Sequence, residues 1–540
     1  MANNLRNSTD KFTGWPLSPC DGVDCSTIQA CGSPPCLRCA PSPDFLPINT
    51  MHMNLTEALT LLCVNDLKSL TRQLPGPPIT GRKGELVDGL ANRLLGPDLP
   101  ALWRSLNTLQ KAAVAEAVHD PLGELSASLF QAKYGSSPNF GKGYNTPLAL
   151  FIYNTEVKRN PAVPADLSQL LLGFVPEPAP MQIKTALELN EVSDQQVRLT
   201  AADALQELAM LLRSIEQERI TVGEKTGVAS SAAQRRLSSR LAGGDFYPWA
   251  EKVDKYEQQV GPIKAFAWPL LLQAGGLATR TGSRLGLSPA GIKAQSARPA
   301  EVIRTLWRKW LKTTLVDEFS RIDDIKGQNS AGRVMGAVAA RRDAIEQALQ
   351  DCPSDCWIAV TEFSRFMQAS GLNFVVAHDP WKLFISDKQY GSLGYAGCHG
   401  WNILQHRYIL ALLFEYAATL GLIDVAYVDP TAPGKGLQDF RELWGADDLA
   451  FLSRYDGLSH FRINALGAYV LGQTDAYQPK VEVSAVLMHG SDAATAMHIA
   501  EHKTTQRLCL RVEPTTLMVR VAQQDKFREA LRQLGLGIGS

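Results

Sequence analysis

The chain has 540 residues, of which 45% are apolar and 20% charged, and its formal net charge at pH 7 is zero. This composition is that of an ordinary soluble protein, and the length allows about three to five domains. A nonspecific polyanion binder is normally basic overall, so the neutral charge restricts any contact with DNA to a local patch.

Residues 1–50 are rich in Pro, Ser and Gly and carry no periodic apolar pattern. They lack the apolar segment of a signal peptide, so a cytoplasmic location is expected. Their cysteines are Cys20, Cys25, Cys31, Cys36 and Cys39. The last two form half of a possible zinc site, without a clear second pair or a nearby His. We therefore expect a disordered leader, or an upstream extension of the reading frame, and neither a metal nor a cofactor.

Residues 51–135 are expected to form a helical module that begins with two short amphipathic helices. The loop Pro75–Pro78 cannot be helical and separates them. Their inward positions are Val64, Leu67, Leu70 and Leu74 on the first helix and Leu86, Leu90 and Leu94 on the second. Thr80 is predicted to cap the second helix, which puts Arg82 and Lys83 in its first turn. Cations oppose the helix dipole there, so they indicate an external anion such as phosphate.

This pattern, over about residues 60–96, resembles the SAP module, a helix–loop–helix that grips DNA. The matching residues are Val64, Leu67, Leu70, Leu74, Thr80, Gly81, Lys83, Leu86, Val87 and Leu90. The resemblance implies phosphate contacts from this pair of helices. The DNA-binding residues expected here are Lys68, Arg72, Thr80, Arg82 and Lys83. An ordinary helical hairpin with solvated cations is the alternative.

A connector (136–198) with one helix, Pro164–Leu172, is expected next, and then a helix-turn-helix unit. Its helices are predicted at Ala201–Glu218 and Ser230–Leu241, with Gly227 in the sharp turn. The outer face of the second helix shows Gln234, Arg235 and Arg240, which suit contact with a DNA groove. The alternative is a winged helix used only for protein contact.

Two later stretches share one pattern, apolar–x–apolar–[Ser/Asn]–x–x–Gly: Leu285–Gly291 and Phe461–Gly467. Each predicts a wing strand that enters a helix capped by Ser288 or Asn464. We therefore expect winged-helix units in tandem. The fold class is mainly α with small β elements: a SAP-like helical hairpin, tandem winged-helix domains (199–342 and 343–476) and a small C-terminal α/β domain (477–540).

A basic stretch falls within the first winged-helix region. Arg304, Arg308 and Lys312 share one helical face at i, i+4 and i+8, with Trp307 and Trp310 on adjoining faces. This spacing suits a surface that follows DNA phosphates. A solvated helix face is the simpler alternative.

A second resemblance covers roughly residues 190–530. Its motifs are Val222–Gly227, Gly243–Phe246, Ala267–Leu271, Trp307 with Trp310, Tyr416–Asp424 and Phe461–Ala468. In this order they are similar to the non-catalytic N-terminal region of bacterial XPB-like, helicase-associated proteins. The resemblance implies winged helices and a small α/β domain that work beside helicase lobes.

The sequence offers little for catalysis. Gly223–Gly227 contains Gly-x-Lys-Thr but lacks the spacing and leading strand of a phosphate-binding loop. Glu482, with Lys480 and Lys503, supports only a weak alternative, a divergent metal-dependent nuclease in residues 478–540. The apolar run Tyr408–Val428 carries Glu415 and Asp424, so it predicts a buried helix of a soluble domain and no membrane contact.

We therefore expect a non-enzymatic DNA-binding accessory or scaffold protein. Its partners would be DNA and a separately encoded helicase, ATPase or nuclease subunit. Bacterial genome maintenance and antiviral defence are the processes that such a protein would suit.

Overall fold

The computed structural model describes residues 53–140, 144–154, 160–190, 192–218, 220–249, 258–328, 334–385, 392–393, 401–479, 485–489, 491–506, 508–520 and 523–536. The fold is mainly helical with small antiparallel sheets, as predicted. A compact unit begins at Met53. The cysteine cluster of residues 20–39 lies outside the described residues.

The N-terminal part of this unit is a bundle of short helices around its own apolar core. Its described helices are α1 (Leu55–Leu61), α2 (Val64–Thr71), α3 (Lys83–Leu94), α4 (Leu99–Ser105), α5 (Thr108–His119), α6 (Ala127–Tyr134) and α7 (Ala165–Leu171). Asn54 and Asn107 start α1 and α5 with capping boxes, in which each Asn side chain bonds the third helical N–H. α7 confirms the helix predicted within 136–198. It packs into this core and so belongs to the N-terminal bundle rather than to a separate connector.

The larger body follows, and its first half alternates helices with a hairpin. Its elements are β1 (Gln196–Arg198), α8 (Ala201–Gln217), α9 (Ser231–Ser238), α10 (Lys264–Ala274), β2 (Ala278–Thr281), β3 (Arg284–Leu287), α11 (Pro289–Ala294) and α12 (Pro299–Lys312). A single backbone bridge joins Thr221, before α9, to Arg284 of β3.

The second half of the body supplies its main sheet. Its elements are β4 (Ile325–Lys326), α13 (Val338–Asp351), β5 (Trp357–Ala359), α14 (Val360–Ala369), β6 (Phe384–Ile385), α15 (His406–Ala411), β7 (Ile423–Tyr427), β8 (Leu458–Ile463) and α16 (Ala465–Leu471). The antiparallel sheet has the order β1-β7-β8-β5. One apolar core extends from Ala204 to Leu471. The predicted boundary between residues 342 and 343 falls inside α13.

The two stretches with a shared pattern form the same local structure. Ser288 and Asn464 each follow a strand, and each side chain accepts a 3.0 Å bond from the N–H of the Gly three residues later. A Cβ on Gly291 would overlap the carbonyl oxygen of Leu277 at the start of the hairpin. A Cβ on Gly467 would overlap the equivalent carbonyl of Leu422. The strand and N-cap predictions are therefore confirmed, and the glycines allow helix and strand to touch.

The apolar run at 408–428 is buried inside the body, as predicted, but it is not one helix, because Gly421 with φ +76° ends the helical part before β7. The run continues α15 through a π-helical turn, Leu412–Ala417, and then becomes β7. Glu415 pairs with Arg321 at 3.1 Å, and Asp424 pairs with Arg462 at 2.8 Å. Within the described ranges, no helix has both the length and the apolar character needed to cross a membrane.

A small α/β unit with a separate core closes the chain. Its elements are β9 (Ala485–His489), α17 (Ala493–Glu501), β10 (Cys509–Glu513), β11 (Thr516–Arg520) and α18 (Gln524–Gln533). The antiparallel sheet order is β10-β11-β9. Asp492 caps α17 by accepting the N–H of Thr495 at 2.8 Å.

Candidate nucleic-acid interface

The helices α2 and α3 are held together by their apolar faces. Leu67 and Leu70 of α2 and Leu86 and Leu90 of α3 are fully buried. Burial of each leucine contributes about 2 kcal/mol. The predicted inward faces are confirmed except at Val64, which stays 38% exposed, and at Leu74, which lies beyond the end of α2 and is half-buried. The buried apolar faces therefore hold the polar side of this helix pair in a fixed position.

The segment before α3 sets where that helix begins. Gly81 has φ +135°, and Arg82 follows in an extended conformation as the N-cap. The N–H of Arg82 donates to Oε2 of Glu85 at 2.7 Å. The predicted cap, Thr80, is therefore wrong, because it lies two residues before the N-cap and a capping oxygen must directly precede the helix. Lys83 is the first helical residue.

Four cations belong to this pair of helices, and two of them stand at the start of α3. Lys68 is on α2, Arg72 follows its last residue, and Arg82 and Lys83 begin α3. All four are exposed, as is Thr80. Within the described part of the chain, no hydrogen bond or ion pair holds any of the four side chains. They are therefore available to an external anion.

The second predicted group of DNA-binding residues, Gln234, Arg235 and Arg240, lies on α9 or just after it. Ser230 caps this helix, and Leu237 is buried beneath it. The amide of Gln234 donates to the carbonyl of Ala229 at 2.6 Å, so this side chain folds back on its own helix. α9 ends at Ser238, so Arg240 lies beyond it and pairs with Glu218.

Arg235, the remaining member of this group, lies next to an aromatic residue that was not among the predicted site residues. It is exposed, and its guanidinium carbon lies 5.1 Å from the ring centre of Trp249. The sequence motifs described above did not single out Trp249. The available signal was the group of three aromatic residues, Phe246, Tyr247 and Trp249, shortly after Gly243 and Gly244.

The third predicted group, Arg304, Arg308 and Lys312 on α12, does not form one uniformly exposed helix face. Arg304 is half-buried, with its guanidinium over an aromatic ring of α16. Arg308 and Lys312 are exposed, but they lie near Glu346. Burial raises the pKa of Glu346, and the two cations and a 2.9 Å bond from Trp307 act in the opposite direction. α12 is thus partly engaged within the protein.

Other charged groups of the body are buried and paired. Nζ of Lys264 lies 2.5 Å from Oε1 of Glu207, and the indole N–H of Trp268 donates to Oε2 of Glu207 at 2.8 Å. Burial raises the pKa of Glu207 to about 7, although Lys264 and Trp268 both lower it. Arg342 and Glu318 form a second pair with both side chains fully buried. These groups hold the fold and are closed to a substrate.

The residues behind the nuclease alternative are only partly described. Lys480 and Glu482 lie outside the described residues, and Lys503 is exposed. His498 and His502 are one helical turn apart, with ring centres 5.6 Å apart. Among the residues described, no group of three or more His, Cys, Asp or Glu side chains is arranged to hold a metal ion.

Comparison of the chain with protein-family models and with curated proteins gives no match. The geometry of the site is therefore the basis for a functional proposal.

Proposed function

We propose that this protein binds DNA through its α2–α3 pair and acts as a non-catalytic accessory or scaffold for a separately encoded helicase or nuclease. The start of α3 carries the proposal. Two cations stand where the helix dipole disfavours them, and no ion pair in the described residues holds their side chains, while the carboxylate of Glu85 in the same turn accepts the N–H of Arg82. An external anion would offset this cost.

The backbone at the start of α3 suits a phosphate. The N–H groups of a helix's first turn have no partner within the helix. An Asn, Asp or Ser in the position of Arg82 would accept one of these bonds, but a guanidinium only donates. A Cβ added to Gly84 in this turn would meet nothing within 4 Å, so the approach is open on that side, whereas the carboxylate of Glu85 lies on the side of Gly81. Together with the exposed cations this is a site for a phosphate oxygen.

The larger body is proposed to be built of winged-helix units. In the first, α8, the strand residues near Thr221, α9, α10 and the hairpin β2–β3 follow one another in the order of that fold. The third helix of such a unit would normally enter a DNA groove. Here residues 264–272 of α10 are all buried, so this helix cannot do so. This supports a scaffold role for the body, similar to the XPB-like accessory region.

The test replaces Arg82 and Lys83 together by Ala. Duplex binding should weaken for all sequences, because phosphate contacts carry no sequence information. The plot of log affinity against log salt concentration should become less steep by about two, one for each lost contact. Fluorescence anisotropy of a labelled duplex at several salt concentrations measures both.

A matched control removes two exposed cations from α18, Lys526 and Arg532, and should leave affinity and slope unchanged. If both double variants behave like the natural protein while circular dichroism stays the same, the α2–α3 site is refuted. Incubation of the pure protein with plasmid and Mg²⁺ or Mn²⁺ tests the alternative. Cleavage that disappears in Glu482→Ala would establish the nuclease.

A further inference from the structure

A ridge of three residues, Tyr247–Trp249, separates two clefts on the surface of the body. The ridge residues line both. The cleft on one side measures about 990 Å³ and the cleft on the other about 940 Å³. Trp249 is half-buried, and the guanidinium of Arg235 lies over one face of its ring. Each cleft has room for a nucleotide, and they meet at an aromatic side chain.

The larger cleft is the cationic one. Arg235 and Arg198 line it together with hydroxyls of Ser238 and Ser239. Asp245 also lines it, but its carboxylate already accepts backbone N–H groups from the start of α10 at 2.9, 3.0 and 3.1 Å. This carboxylate is therefore poorly placed to neutralise an arginine. Arg198 pairs with Asp203 at 3.3 Å, which leaves Arg235 as the cation turned toward the cleft.

The smaller cleft carries acceptors instead. Asp429, Asp448 and Gln258 line it, and Asp448 is exposed. The acidic Asp323 at its edge is already paired with Arg454. The ridge therefore has a cationic side that suits a phosphate and an acidic side that suits hydrogen-bond donors. Carboxylates accept bonds from the amino groups of cytosine and adenine and repel phosphates.

We propose that the ridge binds single-stranded nucleic acid, with one unstacked base on the face of Trp249. The adjacent phosphate lies against Arg235, and an amino group of the base points toward Asp448. A base inside a duplex exposes no face for stacking, so only a single strand or an opened end fits. The arrangement of an aromatic platform beside a guanidinium is one that tolerates any sequence, with a bias toward bases that carry amino groups.

This site is separate from the α2–α3 site, and the inference goes beyond the proposed function. The experiment uses the full chain and measures anisotropy with two probes, a labelled 12-nucleotide strand of mixed A and C and a labelled 20-base-pair duplex. Trp249→Ala should weaken binding of the strand about tenfold and leave duplex binding unchanged. Trp249→Phe should retain most of the affinity, because its ring still stacks.

Trp444→Ala is the matched control, because this indole is 65% exposed at another position, and it should leave strand binding unchanged. Arg235→Ala should weaken strand binding and reduce its salt dependence by about one ion. If Trp249→Ala melts at a much lower temperature, the strand affinity of Arg235→Ala alone decides whether the ridge binds a single strand. Arg82 and Lys83 replaced together should weaken the duplex more than the strand, which keeps the two sites distinguishable.

Unchanged strand binding in both Trp249→Ala and Arg235→Ala would overturn the inference and leave the α2–α3 proposal intact. Absence of strand binding in the natural protein would do the same and would indicate a surface for a protein partner. Equal loss of strand and duplex binding in a well-folded Trp249→Ala would also overturn it, because the ridge would then not be specific for an unstacked base.

Discussion

Individual buried charges in this protein are matched to their partners, and Glu207 is the clearest case. Its carboxylate is enclosed in the body, with Lys264 and Trp268 as hydrogen-bond donors. Burial still outweighs both donors and raises its pKa from 4.5 to about 7. A partner within bonding distance therefore does not by itself keep a carboxylate ionised, because the loss of water around the charge costs more.

This pKa predicts a pH dependence of stability. Between pH 4.5 and about 7 the folded protein holds a proton on Glu207 that the unfolded chain has released. The free energy of unfolding should therefore fall as the pH rises through this window, by at most about 1.4 kcal/mol per unit from this group. Glu207→Gln should flatten the slope by that amount. Denaturant titrations of both proteins at several pH values measure it, and identical slopes would contradict the assignment.

At the scale of elements, strand, N-cap and glycine act as one unit in both copies of the shared pattern. The N-cap starts the helix, and the glycine three residues later lets that helix lie against the chain that enters the preceding strand. The strand partners are β2 and β3 in the first copy and β7 and β8 in the second. A helix and a two-stranded unit are thus fixed at a close approach that only glycine allows.

Gly467→Ala and Gly291→Ala should each destabilise the fold, by about 1–3 kcal/mol or more, because the added Cβ would overlap a backbone carbonyl that cannot rotate away. Gly286 is the control, since a Cβ there would meet nothing within 4 Å. Gly286→Ala should change the melting temperature little. Equal melting temperatures for Gly286→Ala and Gly467→Ala would show that the helices can shift to make room.

At the scale of the whole molecule, the main sheet joins segments that are far apart in sequence. β1 pairs with β7, and the N–H of Thr200 and the amide of Asn464 both donate to Asp424 at 3.0 Å. α6 of the N-terminal bundle packs against α14, where Arg365 donates to the carbonyl of Ala132 at 2.8 Å. The N-terminal bundle and the larger body therefore contribute to each other's stability through α6 and α14.

The anchoring at the beginning of this unit predicts the effect of truncation. The carbonyl of Met53 accepts a bond from Ala165 at 3.1 Å, and the N–H of Leu55 donates to Asp166 at 2.9 Å. A chain that starts at Met53 retains these contacts and should melt within about a degree of the full protein. A drop of several degrees, or one zinc ion per chain lost on truncation, would instead establish a structural site at Cys20–Cys39.

Local sequence determined most of the elements and several of their ends. Helical spacing of apolar residues placed α2, α3 and α8, and short polar side chains marked the caps Ser288 and Asn464. These features depend on neighbours within a turn or two, so the chain specifies them directly. The beginning of α3 was misplaced because Thr80 is a good cap by type, whereas the backbone at Gly81 moved the start by two residues.

Only the tertiary structure decided which charged side chains face solvent. Arg82 and Lys83 are unpaired within the described part of the chain, while Arg240 meets Glu218 and Arg304 lies on an aromatic ring. These partners come from other elements, and helical spacing cannot reveal them. The same holds for the smaller cleft beside Trp249, whose lining residues Gln258 and Ala450 are 192 positions apart in the sequence and hydrogen-bonded to each other. Long-range pairing is set by packing of the whole core, which no local pattern encodes.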